Sequence, residues 1–179
     1  MEEDVQTIRE IQKAIQGAAR IPAAKVRTWV RSQSLGVHSV LTDLISDHST
    51  RIDPQLPMKE ICDEYLHYYR RCLVENAESE YVPSRYVAGH ELARWFGGLW
   101  KDSTVPREYL SDLKAMLADI YKSGDPSLRE AIINGVLEHL FEDPGIAHFF
   151  EDWKADPTLG QAYSLAMEWS ARQPVDPQN

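Results

Sequence analysis

The sequence predicts an all-α protein: a single domain of eight or nine helices in irregular stacked hairpins over residues 1–173, with an irregular tail over 174–179. Three observations lead there. Apolar residues recur with the 3.6-residue helical period almost throughout, and the alternation expected of strands is not found. An Asp-Pro pair, an N-cap followed by the residue favoured at the first helical position, recurs at Asp125-Pro126, Asp143-Pro144 and Asp156-Pro157. Finally, 179 residues with 43% apolar and 26% charged side chains are enough for one well-formed core.

Helices are expected near 2–18, 22–33, 36–47, 57–79 and 84–101, with loops at His48 to Leu56 and Glu78 to Pro83. The helix from Met58 directs Ile61, Tyr65, Tyr68, Tyr69, Cys72 and Leu73 to a core. In the next helix Gly97-Gly98 lies among Trp95, Phe96, Leu99 and Trp100, which predicts a close helix crossing or a kink there. Leu110, Leu113, Leu117, Ile120 and Tyr121 stripe a helix over 106–123, and Gly124 is suited to end it in a left-handed conformation. Leu128, Ile132, Ile133, Val136, Leu137, Leu140 and Phe141 then form the clearest stripe of all, over 126–141. Joined by so short a link, these two helices should fold back as an antiparallel hairpin. A short helix opens at Asp143-Pro144 with Phe149, Phe150 and Trp153. A last one opens at Asp156-Pro157 and carries Leu159, Tyr163, Leu165, Met167 and Trp169, apolar on most sides and so expected to be buried between neighbours.

The net charge of −9 argues against nucleic-acid binding and against anionic membranes. The charge is uneven: residues 91–179 carry 8 Lys/Arg against 15 Asp/Glu, whereas Arg9 to Arg31 holds six cations and only Glu10. The basic stretch of Arg20, Lys25, Arg27 and Arg31 around Trp29 has two readings. It is either a nucleic-acid or membrane footprint, or a ring around a helix whose Val26, Trp29 and Val30 enter the core; the overall charge favours the second. No apolar run approaches the ~20 residues of a membrane span, and the acidic start lacks a signal-peptide pattern. Cys62 and Cys72 on one helix lie about 15 Å apart by helical rise, too far for a disulfide. Free thiols and no export signal lead to an expected cytoplasmic location.

Candidate chemistry is sparse. His90-Glu91-Leu92-Ala93-Arg94 begins like a helical zinc motif but puts Arg94 where the second histidine belongs. Asp63 and His67 share a helical face without a third ligand. Glu138, His139 and His148 resemble an oriented acid/base group with no nucleophile beside it. No phosphate-binding glycine loop or paired-cysteine zinc motif is present, so no metal, cofactor or catalytic centre is expected.

The stretch Glu138–Asp156, EHLFEDPGIAHFFEDWKAD, holds six carboxylates and one cation, Lys154, interleaved with aromatics. It predicts a helix corner packed on one side and negative on the other. Around it, YLSDLKAMLADIYKSGDPSLREAIINGVLEHLFED resembles all-helical immunity proteins of bacterial polymorphic toxin systems, the likeness being carried by Tyr121 to Asp125 and Ile133 to Glu138 and covering about residues 85–170. The resemblance implies a cofactor-free protein that binds and occludes a cognate toxin. If that toxin is a basic, nuclease-like protein, a negative inhibitor associates quickly and selectively. Expected partner-binding residues are Glu138, Glu142, Asp143, Glu151, Asp152 and Asp156, with Trp153 as anchor unless its side chain is core. A helical adaptor and an enzyme with a dispersed site are the other classes compatible with the residues.

Overall fold

The computed structural model describes residues 2–171; the tail expected over 174–179 lies outside the described residues. The described chain is all-α, with nine helices and one two-stranded pairing. Contacts divide it at Ser84–Arg85 into two compact units.

The first unit contains α1 (Glu2–Gln16), α2 (Ala23–Trp29), α3 (Leu35–His48) and α4 (Met58–Glu75), with strands β1 (Ile21–Pro22) and β2 (Ile52–Asp53) in parallel register. Glu2, Glu3 and Asp4 open α1, where the helix dipole favours negative charge. Its carbonyl end is closed by Arg51, whose guanidinium donates to the oxygens of Ala14 at 2.7 Å and Ile15 at 3.1 Å and also reaches Ala19. Helix α3 packs on both α1 and α4 and is buried on nearly every side, so its polar residues need partners within the core. They have them. Thr42 donates to the His38 carbonyl at 2.8 Å, Tyr68 donates to Ser39 at 3.1 Å, and His38 meets Glu64. Tyr65, buried and facing Asp43 and Asp47, has its phenol pushed up to about 12, burial being the main cause. Helix α4 stops at Glu75, short of the expected 79, because Asn76 turns left-handed with φ 48°.

The second unit contains α5 (Arg85–Lys101), α6 (Arg107–Ser123), α7 (126–140), α8 (Pro144–Phe149), a 3₁₀ segment (Glu151–Ala155) and α9 (Pro157–Ser170). All three Asp-Pro starts form as predicted. Asp125 accepts from the Leu128 amide, Asp143 from those of Gly145 and Ile146, and Asp156 from those of Thr158 and Leu159. The predicted α7 stripe is buried from Leu128 to Phe141, but the helix widens into a π-helix over Ile133–Leu137.

Three expectations are corrected here. The close helix crossing is at Gly89, not Gly97-Gly98: a Cβ on Gly89 would lie 3.0 Å from the Gly135 carbonyl oxygen, within the π segment of α7, whereas a Cβ on either later glycine would meet no other part of the protein within 4 Å. Gly124 is extended rather than left-handed, with φ −75° and ψ 153°. What it supplies is room, since a Cβ there would meet the Ile120 carbonyl at 2.7 Å. The last helix is buried through Leu159, Ala162, Tyr163 and Ala166, leaving Met167 and Trp169 exposed. Its buried face thus alternates large residues, Leu159 and Tyr163, with the alanines.

Candidate functional site

The acidic stretch forms the corner where α7 ends and α8, the 3₁₀ segment and α9 begin. Its inner side is aromatic: Phe150 is fully buried, with its ring centre 5.0 Å from that of Trp153 and 5.6 Å from that of Phe141. Trp153 is 3% exposed and belongs to this core. The expected surface anchor is therefore corrected to a packing residue, because the 3₁₀ turn after Phe150 carries it inward.

The carboxylates divide by role. Asp143 and Asp156 are half-buried N-caps, and Asp156 also pairs with Lys122 at 2.5 Å, which holds its carboxyl below the usual range. Glu138 is half-buried and its pKa is raised, by burial first and by the Glu142 charge second. Glu142, Glu151 and Asp152 are the exposed ones. Glu151 pairs with Lys154 at 2.7 Å and with His148 at 2.9 Å, and Lys154 holds its pKa down. Asp152 pairs with Lys114, whose ammonium also donates to the Phe149 carbonyl and lies over the Phe149 ring. The corner's own cations thus offset part of its charge.

Beside the corner, α5 and the end of α7 border a groove of about 950 Å³. Its floor is Gly97 and Gly98, where the helix presents bare backbone. Arg94 and Lys101 line one side, and Glu142, Asp143 and Pro144 line the other. Neither Arg94 nor Lys101 forms an ion pair among the described residues, so both charges are available to a partner. At one end His90 and His139 meet with Nε2 atoms 3.0 Å apart. At that spacing one nitrogen donates and the other accepts, so a single proton sits between them. The His90 pKa is lowered, by burial first and then by His139 and Arg94.

The acid/base grouping of the sequence is only partly assembled. His139 lies 3.3 Å from both Glu138 and Glu142, while His148 is on the surface with Glu151. Asp63 pairs with Lys59 at 2.9 Å and not with His67. Among the described residues no three His, Cys, Asp or Glu side chains are grouped to hold a metal ion. Arg94, Lys101 and the glycine floor were missed from sequence. His90, Arg94, Gly97/Gly98 and Lys101 follow one another at helical spacing, a signal that marks one face but not what it looks onto. The basic segment follows the core reading in part: Val26 and Trp29 are buried, and Arg20, Lys25 and Arg27 pair with Asp53, Glu10 and Glu60, but Val30 is exposed, which corrects its expected place in the core.

No helix among the described residues is long and apolar enough to cross a membrane. Compared with family models, curated proteins and solved structures, the chain has no match.

Proposed function

We propose that this protein is an immunity protein that neutralises a cognate bacterial toxin domain by occlusion, using the groove and the acidic corner of the second unit. The observation that carries the reading is the groove itself: a floor of bare helix backbone with uncommitted cations on one wall and carboxylates on the other. Such a surface receives a polypeptide segment, with backbone close to backbone and side chains of either charge satisfied at the walls. Glu142, Glu151 and Asp152 extend it outward as a negative rim that steers a basic partner. The residues that carry the resemblance, about 85–170, fall within the second compact unit.

The test is growth of cells expressing the product of the neighbouring gene together with this protein. Wild type should protect. Gly98→Trp, which fills the groove from an exposed position with nothing within 4 Å, should abolish protection while the protein stays folded. Charge reversal at Glu142, Glu151 and Asp152 together should weaken it, most strongly at low salt. No protection by wild type sinks the immunity reading. Full protection by Gly98→Trp removes the groove from it.

A further inference from the structure

The first unit contains a separate cavity of about 390 Å³, within the size range of small-molecule sites. Val26, Val30, Ile45 and Leu56 supply its apolar surface, Arg27, Arg31, Glu60 and Asp63 also line it, and Glu64 and His67 mark a polar end. The chemistry of that end follows from its hydrogen bonds. His38 Nε2 lies 2.8 Å from the Ser32 carbonyl, which can only accept, so Nε2 carries a proton. His38 Nδ1 lies 2.6 Å from Glu64 Oε1. Burial alone would lower the His38 pKa, but the hydrogen bond and charge of Glu64 outweigh it and hold the pKa above its usual value. With one proton shared in that contact, the pair is neutral in sum.

Glu64 is 3% exposed, yet its second carboxylate oxygen accepts no hydrogen bond from the described residues. That oxygen is not sealed from solvent, and it belongs to a side chain that lines the cavity, where it is open to a donor. A ligand that brings an N–H or O–H there donates to it in place of water. It need not bring charge, because the pairs Arg27–Glu60, Lys59–Asp63 and His38–Glu64 around the cavity each cancel internally. Arg31 at the mouth is exposed, and its field is screened by solvent.

We propose that this cavity is a binding site for a small, neutral, largely apolar molecule with a single N–H or O–H donor, oriented by donation to Glu64. Its body packs between Val26, Val30, Ile45 and Leu56, with the His67 ring beside the polar end. The site is independent of the proposed toxin-binding face and stands or falls without it.

Indole is a suitable probe, because it is apolar apart from one N–H; 1-methylindole has the same shape without the donor. Titration of the full chain, followed by amide chemical shifts, should show saturable changes for indole confined to residues around 26–33 and 56–67. Loss of a hydrogen bond to a charged acceptor should make 1-methylindole about ten-fold weaker or more. Glu64→Gln, which exchanges the carboxylate for a neutral amide, should weaken indole by a similar factor. Val30→Asp alters a half-open wall position, 37% exposed, and should weaken binding with the melting temperature unchanged; it decides the matter if Glu64→Gln does not fold. Non-saturating shifts, shifts outside the cavity, equal binding of the two probes, or full binding to Val30→Asp would each overturn the proposal.

Discussion

Removing one member of the His38–Glu64 pair should cost far more than removing both. The side chains are 1% and 2% exposed and 2.6 Å apart, so each charge depends on the other for nearly all of its stabilisation. Breaking a buried pair from one side costs about 3–5 kcal/mol, because the survivor is left charged and dry. His38→Leu and Glu64→Leu should each lose about that much. The double variant replaces the pair with apolar residues on the buried α3–α4 interface and should fall within about 1 kcal/mol of wild type, as such replacements often do. The two effects are therefore strongly non-additive, and chemical denaturation of the four proteins measures the coupling directly. A double variant equal to the sum of the singles within about 0.5 kcal/mol would refute the pairing. The pH dependence gives a second reading. The folded His38 pKa lies above its unfolded value, so the stabilisation is complete below about pH 6.5 and is lost as pH rises through the folded pKa. The double variant should lack this alkaline loss.

Further outcomes follow from the same packing. Gly89→Ala should destabilise by about 1–3 kcal/mol through its contact with Gly135, whereas Gly98→Ala should stabilise by up to about 1 kcal/mol, both read as melting-temperature shifts. Trp153→Ala should lower stability by about 3–5 kcal/mol in denaturant titrations; an unchanged midpoint would return this residue to the surface. Asp143→Ala should cost about 0.5–2 kcal/mol as a lost cap, whatever it does to partner binding. His90 has a folded pKa below its unfolded value, so its neutral form stabilises the folded protein above about pH 6.5 and that contribution fades as pH falls toward the folded pKa. His90→Gln should flatten the acid side of the stability profile, and an unaltered profile would show that the His90 pKa is not lowered in the folded protein.

Local rules were enough for the helices. Period, caps and chain breakers act within a few residues, so Asp125, Asp143 and Asp156 marked three helix starts correctly and the stripe from Leu128 to Phe141 marked a buried face. The acidic corner was legible for the same reason, as a run of neighbouring residues. Distance along the chain hid the rest. Which of Gly89, Gly97 and Gly124 needed its missing side chain depended on what packed against it, and only Gly135 and Ile120 could decide that. Trp153 read equally well as anchor or core until the turn after Phe150 placed it inside. His38 and Glu64 are separated by 26 positions, and His90 and His139 by 49, so neither pair leaves a local pattern. Sequence alone determined that the chain is helical and where its helices begin, because those choices are settled by hydrogen bonds a turn apart. The groove, the cavity and the charge state of the groups within them were decided only by the tertiary structure, because burial and the approach of distant charges set them.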